Sequence, residues 1–277
     1  MRLVTYENGG RAGVGLKTDG GVYPTGYANM IDLIRDGEAG LARARETAAK
    51  SRPIESFRLL APVPSPGKIL CAGINYRSHK EENPKAVFPE KPSFFSKLPT
   101  AVIGPGQPIV LPYPDSRTDY EVELALVVGK TMKNVPRDRA LEYVFGFTVL
   151  NDVSCRDLQF GLQHETIGKG IDTYCPLGPE IVLRDELPDP GGLRVESRVN
   201  GELRQSSSTA DMIFSVPVLL EFLTSFVTLH PGDVVSTGTP AGVGLFRRPP
   251  VFLQPGDAVE VSVEGIGTLR NEVVAGW

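Results

Sequence analysis

The chain has 277 residues, a formal net charge of −4, 41% hydrophobic residues and three cysteines. That length is ample for one large core or for a large domain with a small appendage. The slight acidity, without any Lys/Arg-rich run, argues against nucleic acid or an anionic membrane surface as a partner, and no apolar stretch approaches the roughly 20 residues that span a bilayer. The opening MRLVTYENGG lacks the charged and then apolar regions of a signal peptide, so the expectation is a soluble, cytoplasmic protein. Cys71, Cys155 and Cys175 are widely spaced with no C-x-x-C pair, which reads as buried, reduced thiols rather than a disulfide framework or a zinc site.

In chain order, two short strands are expected at 2–6 and 12–18, followed by an Ala- and Arg-rich helical region over 28–50 that is interrupted at Asp36-Gly37. The run Ala61-Pro62-Val63-Pro64-Ser65-Pro66-Gly67 breaks any regular element. It places a boundary between a small N-terminal α+β domain, 1–60, and a second domain, 61–277. Beyond it lie short β-like runs at 68–72, 101–104, 121–128, 145–150, 180–183, 193–199, 233–236, 258–263 and 268–274, separated by Pro/Gly punctuation. That pattern predicts a mostly β, largely antiparallel architecture. One helix is expected over 217–227, capped by Ser215, with Val218, Leu219, Phe222, Leu223 and Phe226 as its apolar stripe.

The segment Asp119 to Gly129, DYEVELALVVG, holds Glu121 and Glu123 two residues apart in what otherwise reads as a buried strand. Positions i and i+2 of a strand share a face, so the two carboxylates repel unless a cation lies between them. Asp152 follows a second apolar run, VFGFTVL. Three carboxylates without a nearby histidine form an all-oxygen set suited to Mg²⁺ or Mn²⁺, with Ca²⁺ as a non-native occupant. An E-x-E pair can equally be a solvated strand face.

His79 and Glu82 are three residues apart in NYRSHKEE, neighbours on a helix, where a carboxylate orients an imidazole for general-base work. An ordinary exposed pair satisfies the same spacing. The following stretch to Pro92 is polar and Pro-punctuated, as a mobile lid would be. Lys169 lies between glycines and is either a partner for a substrate anion or a plain loop lysine. Arg156 and Gln159 follow Asp152 closely, and the loop 237–244, TGTPAGVG, which contains Thr239, offers amides and hydroxyls to an anion.

Taken together, GINYRSHKEE, DYEVELALVVGK, GFTVLNDVSCRDLQ, GKGIDTYCPLGP, VNGELRQSSSTADMIFSV and LHPGDVVSTGTPAGVG resemble the fumarylacetoacetate hydrolase family in its smaller bacterial and mitochondrial branch. The resemblance implies a mixed β-sandwich roll and Mg²⁺ or Mn²⁺ on Glu121, Glu123 and Asp152. It also implies a lid carrying His79 and Glu82, a substrate-anchoring Lys169 and a homodimer; Arg156 and Gln159, from their closeness to Asp152, and Thr239, from its loop, are the expected substrate-binding residues. Family members often carry Ser-Phe where this chain has Gly170-Ile171, so the shape of the pocket beyond the metal is not carried over. The chemistry it points to is hydrolytic cleavage of a C–C bond in a 2,4-diketo acid such as an acylpyruvate. Oxaloacetate decarboxylation or tautomerisation, and isomerisation of hydroxy-dienedioates, use the same platform, and a non-catalytic binding domain is the third reading.

Overall fold

The structure is a computed structural model that describes residues 1–82, 87–162 and 164–276. Its centre is an 11-stranded sheet. Three strands form its middle, Val122–Val128, Val144–Asn151 and Cys175–Leu183, and every residue in them is buried. Near-continuous Val, Leu and Phe are what a strand covered on both faces requires. Val122, Leu124, Leu126 and Val128 pack towards Val195, Val259, Val261 and Leu269 of a second sheet. The alternate residues Ala125 and Val127 pack on the opposite face, in two smaller clusters. Glu123 shares the register of that second set.

The second sheet has five strands, ordered Glu202–Ser208, Arg194–Val199, Ala258–Val263, Gly267–Val274 and Ile109–Val110. Pairing in both sheets is mainly antiparallel, and the contact between Val234–Ser236 and Ile69–Ala72 is one of the parallel exceptions. This mixed, mostly β architecture is the one the punctuated sequence predicts. The strand Arg2–Asn8 pairs with Cys175–Leu183, and Leu3, Val14, Met30 and Leu33 share a cluster with Val127, Phe145 and Ile181. The main sheet therefore runs across the expected boundary near residue 61.

The last long helix, Val216–Phe226, begins one residue earlier than expected. Ser215 occupies the cap position, but its side chain makes no capping hydrogen bond; its carbonyl instead accepts from the Leu219 amide. The buried face carries Val216, Leu219, Leu220, Leu223 and Thr224, whereas Phe226 is exposed. The stripe is rotated from the expected one because Leu220 turns inward, and Phe222 stacks on Phe94 instead of entering the core. No helix among the described residues is long and apolar enough to cross a membrane.

Candidate active site

Antiparallel register builds the acidic cluster. Val122 pairs with Asn151 and Glu123 with Leu150, so continuing the ladder by one residue sets Asp152 opposite Glu121, where the Asp152 amide donates to the Glu121 carbonyl at 2.9 Å. Glu121, Glu123 and Asp152 are all buried, and one oxygen from each lies within 4.8 Å of the others. A hard, all-oxygen set of this kind could hold a divalent cation.

The three carboxylates are neutralised unequally. Glu121 accepts from Lys169 Nζ at 2.8 Å and from Arg156 Nη2 at 2.6 Å. Burial alone would raise its pKa, but those two cations overcome it and hold the group down at about 2. Asp152 receives Lys169 on one oxygen, at 2.8 Å, and the fully buried Lys97 on the other. Glu123 touches no cation among the described residues. One of its oxygens accepts from the Ser236 hydroxyl and from the Gly238 amide at 2.8 Å. Burial, then Asp152 and Glu121, push its pKa well above the usual carboxylate range.

A fourth carboxylate, Asp119, supports the cluster from behind. It is fully buried and accepts from Arg156 Nε and Nη2, at 3.0 and 2.9 Å, and from the Gly244 and Leu245 amides, at 2.7 and 3.0 Å. In formal charges, four carboxylates (Asp119, Glu121, Glu123, Asp152) face three cations (Lys97, Arg156, Lys169), which leaves −1. A divalent ion would reverse that sign to +1 and make the cleft attractive to an anion.

Lys169 closes the short helix Glu165–Lys169, which packs on Arg156–Gly161. The approach needs Gly168: a Cβ there would meet the Gln159 backbone nitrogen at 2.6 Å. Lys169 thus lies against the acids themselves, with its ammonium 5.0 Å from the Phe95 ring centroid. Gln159 accepts from Arg156 at 3.0 Å and donates to Glu165 at 2.8 Å. Thr239 lines the cleft, but its hydroxyl donates to the Val122 carbonyl and accepts from Gln205. Its visible role is to hold the start of the strand that carries Glu123, next to Glu121.

His79 and Glu82 lie on the helix His79–Glu82, with His79 Nδ1 2.8 Å from a Glu82 oxygen. The other Glu82 oxygen accepts the Gly242 amide at 2.6 Å. His79 lines the same cleft of about 570 Å³ as Glu121, Glu123, Arg156 and Lys169. Its remaining walls are largely apolar and include Ile74, Phe94, Phe160 and Phe246. Of the expected lid, residues 83–86 lie outside the described residues, and Tyr76 at its start is fully buried.

The loop 237–244, expected to bind an outside anion, gives its amides to the protein's own carboxylates. Gly238 holds Glu123, Gly242 holds Glu82 and Gly244 holds Asp119. Lys97 was not singled out in the sequence; it ends the short edge strand Phe94–Lys97, where nothing local marks it as buried. Asp119 opens the DYEVELALVVG run, and its i+2 spacing to Glu121 was a usable signal.

With this geometry in place, the comparisons with known proteins are consistent across the whole chain. The family model described as fumarylacetoacetate (FAA) hydrolase C-terminal matches residues 68–274. The chain belongs to the fumarylacetoacetate hydrolase family. Within this family it is 43% identical over 289 residues to a Bos taurus protein named oxaloacetate tautomerase FAHD2B, mitochondrial, covering 99% of this chain and 92% of that one. A fumarylacetoacetate hydrolase from psychrophilic Exiguobacterium antarcticum aligns with TM-score 0.87 and 39% identity over 99% of both chains. Maleylpyruvate hydrolase from Sphingobium sp. SYK-6, solved with manganese(II) ion and pyruvate, aligns with TM-score 0.85 and 31% identity over 100% of both. The relatives of this family member are enzymes.

Two outcomes follow from the unequal neutralisation. Replacing Glu123 with Ala should abolish Mn²⁺ binding in calorimetry while the circular dichroism spectrum stays that of the wild type, since a ligand and its charge are lost together; unchanged affinity would contradict the site. Because burial and the neighbouring acids raise its pKa, Mn²⁺ should compete with a proton for Glu123, so binding should release protons and tighten as pH rises. Calorimetry in buffers of different ionisation enthalpy reads this directly, and buffer-independent heats would refute it.

Proposed function

We propose that this protein is a divalent-metal-dependent oxaloacetate tautomerase, interconverting the keto and enol forms of a 2-oxo diacid. The observation that carries this reading is the 43% identity, over 99% of the chain, to a relative named oxaloacetate tautomerase. It is supported by a cleft lined by Glu121, Glu123 and His79, with Asp152 clustered beside the two glutamates and Glu82 bonded to the imidazole. Glu121, Glu123 and Asp152 are the residues that would hold the ion, and the Mn²⁺ and pyruvate of the maleylpyruvate hydrolase structure fit that assignment. When bound, the ion supplies Lewis acidity, polarising the 2-oxo group and acidifying the adjacent C3–H bonds.

The side chains supply the proton path and the charge. Glu82 occupies Nδ1 of His79, which leaves Nε2 as the ring atom free to remove a proton from C3. The electron pair of the broken C–H bond becomes the C2–C3 double bond, negative charge grows on the 2-oxo oxygen, and a proton returned there completes the enol. Burial works against a charged Lys169, but Asp152 and Glu121 hold its pKa up. It therefore stays an ammonium at neutral pH and acts by charge rather than as a proton donor. Arg156 keeps Glu121 ionised and oriented.

Hydrolytic cleavage of an acylpyruvate is the second reading. The same His79–Glu82 pair favours it, because the pair could activate a water, and so does the likeness to maleylpyruvate hydrolase.

His79→Ala should slow metal-dependent oxaloacetate tautomerisation, followed by loss of enol absorbance, by on the order of a hundredfold, the usual worth of a positioned base. Glu82→Gln should act in the same direction but less severely, and rates within a few-fold of wild type for His79→Ala would exclude it as the base. With Mg²⁺ or Mn²⁺ and separate oxaloacetate, acetylpyruvate and fumarylpyruvate assays, we expect oxaloacetate tautomerisation to have the highest kcat/KM. Faster C–C cleavage, with pyruvate as product, would establish the hydrolase instead.

A further inference from the structure

The motif VNGELRQSSSTADMIFSV enters the resemblance, yet nothing in the cleft is drawn from it. Its Asp211 reaches the catalytic machinery indirectly. Among the described residues the helix that carries His79 and Glu82 spans only His79–Glu82, too short a piece to have stability of its own. The direction of the imidazole must therefore be set by outside contacts.

Those contacts come from two loops. At the root of the helix, an Asp211 carboxylate oxygen accepts the Ser78 amide at 2.9 Å, and the Asp211 carbonyl accepts the Arg77 amide at 3.1 Å. The Arg77 guanidinium donates to the Met212 carbonyl at 2.6 Å, and Tyr76 bridges Met212 as an isolated antiparallel pair. Asn75 exchanges two hydrogen bonds with the backbone of Phe214, at 3.0 and 2.8 Å. At the far end, Glu82 accepts the Gly242 amide. Gly242 has φ +105, and a Cβ there would meet the Arg204 carbonyl oxygen at 2.3 Å, so the chain here packs directly against the strand Glu202–Ser208.

We propose that Asp211 is a positioning residue for the reaction: it caps the His79–Glu82 helix from a segment more than a hundred residues distant in sequence and thereby aims His79 into the cleft. In a capping box the amide of the residue before the helix is accepted by a side chain from the helix's own first turn. Here the residue before His79 is Ser78; its hydroxyl accepts the Ala241 amide at 3.4 Å, and Asp211 takes over the capping of its amide. Asp211 acts only through His79, and makes none of the hydrogen bonds or ion pairs of Glu121, Glu123 and Asp152.

The inference rests on the assignment of His79 as the proton-transferring residue, and the experiment separates the two. Asp211→Ala should lower kcat for the turned-over 2-oxo acid by on the order of tenfold, as modest misplacement of a catalytic group does, with KM and the Mn²⁺ Kd within about twofold of wild type. Asp211→Asn, which keeps an acceptor for the Ser78 amide, should recover most of the loss. In a His79→Ala background, Asp211→Ala should have no further effect, because neighbours acting through one group are not additive. A loss that adds to that of His79→Ala, or a weakened Mn²⁺ Kd, would overturn the proposal. A His79→Ala enzyme as active as wild type would fail the function reading instead, and then hydrogen exchange decides for Asp211. In the wild-type protein the Ser78 amide should exchange slowly despite lying at the start of so short a helical piece. Exchange at the rate of an open loop would overturn the capping role whether or not Asp211→Ala folds.

Discussion

Repulsion among Glu121, Glu123 and Asp152 is the constraint around which the rest of this structure is arranged. Three carboxylates within 4.8 Å of one another in a buried site cannot all be ionised without nearby positive charge, because an isolated buried carboxylate costs many kcal/mol. Lys97, Lys169 and Arg156 satisfy Glu121 and Asp152, and Glu123 is left with a hydroxyl and an amide. Its pKa is raised as a result, and each unit of such a rise adds about 1.4 kcal/mol to the cost of deprotonating it. The cluster is thus balanced for one of two occupants, a proton on Glu123 or a cation among all three acids.

The loop that follows the strand Val234–Ser236 coordinates this arrangement. Its successive amides hold a proposed metal ligand at Gly238, the partner of the histidine at Gly242 and the support for Arg156 at Gly244. Backbone amides are suited to such work, since they cannot change rotamer and carry no counter-charge. A base and a cation on two separate short helices are thereby referred to one short piece of chain. This fixes their relative position more firmly than any contact within the His79–Glu82 helix could.

The acids were visible in the sequence because they sit at the ends of apolar runs, Glu121 and Glu123 at i, i+2 spacing, whereas the approach of Asp152 to Glu121 comes from the pairing of the two strands. Strand positions were legible wherever Pro and Gly punctuate, as at Ala258–Val263, whose bounds agree with expectation. Less of the cation network could be read. Lys97 sits at the end of a four-residue edge strand, and its burial depends on packing between residues distant in sequence, which no local pattern encodes. Lys169 and Thr239 were picked out by residue type, but their partners, two protein carboxylates and a backbone carbonyl, depend on tertiary approach. The rotation of the helix Val216–Phe226 has the same origin: its sequence carries apolar residues on more than one face, and the contact made by Phe94 with Phe222 selects which face remains outside.

A platform that neutralises a 2-oxo acid head and offers one imidazole is compatible with proton shuttling and with water activation, which is why proteins of similar fold carry names from both chemistries. On the proposed function, both depend on a cation seated among Glu121, Glu123 and Asp152. The most direct measurement is an anomalous difference map, collected at the manganese edge, from crystals of the wild-type protein grown with Mn²⁺. The account predicts one strong peak in contact with an oxygen from each of the three carboxylates. A map with no peak there, or with Mn²⁺ bound only elsewhere, would contradict it.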